Sequence, residues 1–115
     1  MPKALIIFLT LLIGAVIGWF TLTPPGPPGG PLPLTDKQLH ALAFGLLVLP
    51  VALTRPRALW WLAPLALAYG AVIEVIQPSV GRTGEWADLL ADGVGIALVC
   101  GLGVLQSRVT RSTRT

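Results

Sequence analysis

Asp36 and His40 stand four residues apart, Glu74 and Gln77 three apart, and Asp88 and Asp92 four apart. In a helix each spacing puts both side chains on one face, so three separate segments offer a polar stripe. Lys37 and Arg82 are the bases beside them in sequence. Several chemistries fit such a set. His40 has the unperturbed titration range of a general acid or base, and Asp36 or Glu74 can fix its tautomer, as a hydrolase or transferase needs. Alternatively, Arg82 through its planar fork and Lys37 as a point charge can hold a phosphate, while Glu74, Gln77, Asp88 and Asp92 take polar groups around it.

Other readings have less support. Ser79 is the only serine near these residues, and no GxSxG or other nucleophile and base signature surrounds it. His40, Glu74, Asp88 and Asp92 are legitimate ligand types for a divalent ion. Their spacing matches no HExxH-like signature, so neither a metal nor any cofactor is assigned. The same acids can also neutralise one another as interhelical glue, with Lys37 and Arg82 satisfying some of them.

What must position these groups is a set of membrane helices. Hydrophobic residues make up 54% of the 115-residue chain and charged ones 11%, against roughly 25% charged in soluble domains. A bilayer core about 30 Å thick takes roughly 20 apolar residues per helix. Four spans fit, at about 4–22, 36–54, 58–77 and 87–106, giving an all-α, polytopic bundle in one domain. The first is uncharged from Ala4 to Leu22; its length and the want of a small-x-small cleavage site favour a retained anchor over a signal peptide. The second opens on Thr35 and Gln38, spaced as a capping box. Pro64 lies inside the third and Pro78 ends it. Cys100 lies in an apolar run of the fourth and reads as a buried structural thiol. The bases are scattered singly, unlike the dense patch of a nucleic-acid surface.

Lys3, Arg55, Arg57, Arg108, Arg111 and Arg114 fall at one end of these spans, and only Lys37 and Arg82 at the other. Positive loops stay cytoplasmic, so both termini are expected inside, with residues 23–35 and 78–86 facing outward. Trp19, Trp60, Trp61 and Trp86 all fall near span ends, where interfacial tryptophan belongs. Gly14 and Gly18 form a GxxxG, and Gly95, Ala97 and Gly101 make close contacts of the fourth span available. All five acids and His40 then share the outward end. The inner halves carry no ionisable residue, so a transport path through one protomer is not evident, although a homo-oligomer could build one.

The segments DKQLH at 36–40 and EVIQ at 74–77, then Arg82, then DLLADGVG at 88–95, follow the ordered pattern D-K-x-x-H, E-x-x-Q, R, D-x-x-x-N/D-x-x-G. In this the chain resembles the VanZ-like family of small bacterial membrane proteins, whose founding member is associated with resistance to the glycopeptide teicoplanin. The resemblance implies that Asp36, Lys37, His40, Glu74, Gln77, Arg82, Asp88 and Gly95 are the family's characteristic positions. It also implies a role at the cell envelope, in the bacterial plasma membrane. Asp92 departs from the pattern, since many members have Asn there, and an added carboxylate opposite Asp88 can either raise one pKa or invite a cation. Expected partners are membrane lipids, and an envelope lipid headgroup or peptidoglycan precursor that the outward site binds or remodels.

Overall fold

The computed structural model describes residues 1–24 and 34–114; residues 25–33 of the Pro/Gly-rich loop expected to face outward lie outside the described residues. Four helices follow one another: α1 (Lys3–Leu22), α2 (Asp36–Thr54), α3 (Leu59–Ile76) and α4 (Trp86–Arg114). Each is long and apolar enough to cross a membrane. Short 3₁₀ turns, Pro56–Ala58 and Gln77–Val80, flank α3, so both ends of the third span are tighter than an α-helix. Helix α4 continues well past Gln106, through the basic tail to Arg114.

The bundle carries its apolar side chains outside as well as inside. Trp19, Leu11, Leu65, Leu90 and Leu98 are exposed, while Phe44, Val48, Ile73 and Ile96 form the core with Leu47 and Leu62. In water such a surface would aggregate; against lipid tails it costs nothing, and helix association must come from close packing and polar contacts instead. Helix α2 supplies both.

Helices α2 and α4 form the tightest pair. A Cβ on Gly95 would run into the Ala41 carbonyl oxygen, and one on Gly103 would lie 2.8 Å from that of Ala52. Gly95 therefore makes the contact expected of it. Gly101 faces open space, and Ala97 is exposed; the second close contact falls instead on Gly103, two turns beyond Gly95 on the same face. The Gly14/Gly18 pair serves a side chain rather than a neighbouring backbone. The Tyr69 hydroxyl of α3 donates to the Gly14 carbonyl at 2.6 Å and fills the space a Gly18 side chain would need.

Candidate functional site

The C-terminal ends of α1 and α3 and the N-terminal ends of α2 and α4 meet at one end of the bundle, and the acidic residues are there. At its entrance, Thr35 Oγ1 accepts from the Gln38 amide at 3.1 Å and Gln38 Oε1 accepts from the Thr35 amide at 2.9 Å. This is the capping box expected from the sequence, and it fixes where α2 begins. Asp36, Lys37 and His40 are thereby set on the first turn and a half, facing α4.

On α3, Glu74 occupies the last turn and Gln77 follows it. Gly81 adopts φ 80°, a left-handed conformation that glycine takes without strain. The chain then doubles back, with the Arg82 amide donating to the Gln77 carbonyl at 3.0 Å. The returning loop passes so close that a Cβ on Gly84 would lie 2.5 Å from the Glu74 carbonyl oxygen. In this position the Glu85 amide donates to Glu74 Oε2 at 2.8 Å. Glu74 thus ties the end of α3 to the start of α4.

Five polar side chains converge inside. His40, Glu74, Gln77, Asp88 and Asp92 are 7%, 5%, 2%, 3% and 0% exposed, whereas Asp36, Lys37 and Glu85 lie at the rim. His40 Nδ1 is 2.8 Å from Asp92 Oδ1. The Lys37 ammonium donates to Glu85 Oε2 at 2.9 Å and to Asp88 Oδ1 at 3.1 Å. His40 Nε2 faces Asp88 Oδ2 at 3.7 Å and Asp36 Oδ2 at 3.9 Å.

The tautomer-fixing partner of His40 is therefore Asp92 rather than Asp36 or Glu74. The reason lies in the helix pair. Gly95 lets α4 reach the backbone of Ala41, the residue after His40, and Asp92, about one turn before Gly95, is drawn level with the imidazole. Asp36 reaches only the other ring nitrogen, and Glu74 is engaged by the Glu85 amide.

Arg82 forms no ion pair among the described residues. Its Nε donates to the Thr23 carbonyl at 2.8 Å, while Gln77 Nε2 donates to the Thr21 carbonyl at 3.2 Å. Helix α1 gives the site no charge, but its free C-terminal carbonyls anchor two of the site's side chains. Cations favour that helix end, where the macrodipole is negative. Glu74 Oε1, Gln77 Oε1 and Asp92 Oδ2 are buried without a hydrogen-bond partner. With five carboxylates against Lys37 and Arg82, this end carries a formal excess of three negative charges when His40 is neutral.

No family model, curated protein or solved structure matches this chain. What the end of the bundle does is read from its geometry.

All the residues singled out from sequence lie at this one end, but they divide by role. Asp36, Lys37, His40, Asp88 and Asp92 form one connected group between α2 and α4. Glu74 is beside them, while Gln77 and Arg82 turn toward α1. Three contributors make contacts that sequence did not single out, although it places Glu85 at this end with the other acids. Glu85 enters through its side chain on Lys37 and its amide on Glu74. Thr21 and Thr23 enter through backbone oxygens; the free carbonyls that every helix C-terminus offers were the only clue.

Proposed function

We propose that this chain is a VanZ-like protein of the bacterial plasma membrane whose polar end faces outward and engages the headgroup of an envelope lipid or lipid-linked peptidoglycan precursor. One observation carries the reading: the polar residues of D-K-x-x-H, E-x-x-Q and D-x-x-x-D-x-x-G, far apart in sequence, come together at one end of the bundle, with His40, Glu74, Gln77, Asp88 and Asp92 buried there. Glue alone would not call for so many ionisable groups in one layer, because each costs several kcal/mol to bury in lipid, roughly 2.5–3.5 for Asp on insertion scales. The basic residues at the opposite end support cytoplasmic termini.

Within this reading the phosphate contact belongs to Arg82. Its guanidinium uses one donor on Thr23 and has no carboxylate partner among the described residues, so its fork is open to an anion. Lys37 is held by two carboxylates and organises the site. Helices α2 and α4 both begin at this end, adding their positive dipole ends. A deletion strain complemented with Glu74, Arg82 and Asp88 alanine variants tests the proposal. At matched membrane levels, the variants should lose the wild-type effect on precursor composition and glycopeptide susceptibility; restoration by all three would refute it.

The His40–Asp92 bond favours one alternative, a membrane-embedded hydrolase or transferase in which Asp92 holds His40 as general base. Among the described residues no hydroxyl or thiol hydrogen-bonds to His40, so the nucleophile would be water. Turnover of an envelope substrate by purified protein, abolished by His40→Ala, would decide for this reading.

A further inference from the structure

His40 Nδ1 and Asp92 Oδ1 are hydrogen-bonded at 2.8 Å. An ionised Asp92 can only accept, which puts a proton on Nδ1; in the neutral ring the lone pair is then on Nε2. That nitrogen makes no hydrogen bond among the described residues, although His40 is only 7% exposed. It points between Asp88 Oδ2 at 3.7 Å and Asp36 Oδ2 at 3.9 Å. Asp88 is 3% exposed, and Lys37 takes its other oxygen. The ring nitrogen thus faces two carboxylate oxygens, an arrangement that repels in the neutral ring and calls for a proton on Nε2 or a metal ion between them.

A proton on Nε2 would ease this repulsion as an ion pair, but at 3.7 and 3.9 Å it lies beyond hydrogen-bond distance of either oxygen and does not bridge them. A first-row metal ion does. Bonds of about 2.0–2.2 Å to nitrogen and oxygen place ligand atoms roughly 3.4 Å apart on a tetrahedral edge and roughly 4.2 Å apart across the ion. Ligand atoms of Asp36, His40 and Asp88 all lie within 4.8 Å of one another. Asp92 then occupies the place of the carboxylate that orients a metal-bound histidine through its second nitrogen. Asp36 is at the exposed rim, with 64% of its side chain accessible, which gives the ion a way in and leaves a coordination position toward the outside.

We propose that His40 Nε2, Asp36 Oδ2 and Asp88 Oδ2 bind one divalent cation of the Zn²⁺ or Mn²⁺ type, with Asp92 orienting the imidazole. Mixed imidazole and carboxylate ligands suit such ions. A bound ion offsets part of the excess of negative charge at this end of the bundle. The inference stands on ligand geometry and does not rest on the lipid reading.

The test is metal titration of the purified full-length protein in detergent after chelator treatment, with Zn²⁺ and Mn²⁺ as probes and no lipid substrate present. The wild type should bind one equivalent per chain. Asp36→Asn, at an exposed helix start where folding is not at stake, should weaken binding at least tenfold, as should His40→Ala. Asp92→Asn, which keeps an acceptor for Nδ1–H but loses the charge, should weaken it about tenfold, and Glu74→Gln should leave it unchanged. His40, Glu74 and Asp92 form a second, deeper group of ligand atoms. Loss of binding in Glu74→Gln with Asp36→Asn intact would therefore overturn the assignment. So would a wild type that binds no stoichiometric metal, or binding indifferent to Asp36 and His40. Each result is read without lipid, so it stands apart from success or failure of the headgroup proposal.

Discussion

His40 and Asp92 are each other's main polar partners, and both are buried. Removing either leaves a buried polar atom of the other without its hydrogen-bond partner, at a cost of about 1–3 kcal/mol. His40→Ala and Asp92→Ala should each lower the thermal stability of the detergent-solubilised protein, and the double variant should be less destabilised than their sum. A coupling of about 0.5–3 kcal/mol is expected from the cycle; additive effects would show that the two do not act as a pair. Sequence spacing put Asp36 and His40 on one face, and that contact is present at 3.9 Å. It could not show which acid meets Nδ1. That depends on how α4 is set against α2, a register decided by two backbones in contact and by no spacing within either helix.

The helices illustrate where local rules suffice. The capping box at Thr35 is written in four consecutive residues and forms as expected; Thr35→Ala should cost about 1 kcal/mol by loosening the start of α2, measurable as a lowered unfolding midpoint. Small residues on α4 were legible as a class but not one by one. Gly95 and Gly103 meet α2, whereas Gly101 meets nothing. Gly95→Val should therefore push α4 away from Ala41 at a cost of about 1–3 kcal/mol and separate His40 from Asp92. Gly101→Ala should stay within about 0.5 kcal/mol of wild type. Equal effects of the two substitutions in thermal unfolding would contradict the packing described. The role of α1 was the least legible part. It has no ionisable group beyond Lys3, and its backbone oxygens at Thr21 and Thr23 are acceptors that no side chain reveals.

For the molecule as a whole, hydropathy alone located four spans, and the helices observed begin and end close to those limits except at the C-terminal end of α4, which runs on to Arg114. The separation of acid from base follows from the alternating direction of the helices, which brings residues from α2, α3 and α4 to one end. Orientation in the membrane is proposed from the six bases at the other end. In a Cys100→Ala background, Thr83→Cys should react with an impermeant maleimide on intact cells, and Val109→Cys only after permeabilisation; the reverse pattern would place the site in the cytoplasm. The account as a whole rests on the acidic end being a binding site for an envelope headgroup. Its most direct test is native mass spectrometry of the purified chain in nanodiscs with a lipid-linked peptidoglycan precursor. One precursor should bind per chain, and Arg82→Ala should weaken it at least tenfold, about 1.4 kcal/mol, with helicity and unfolding midpoint kept. Binding no stronger than that of bulk phospholipid, or equal binding by Arg82→Ala, would contradict it.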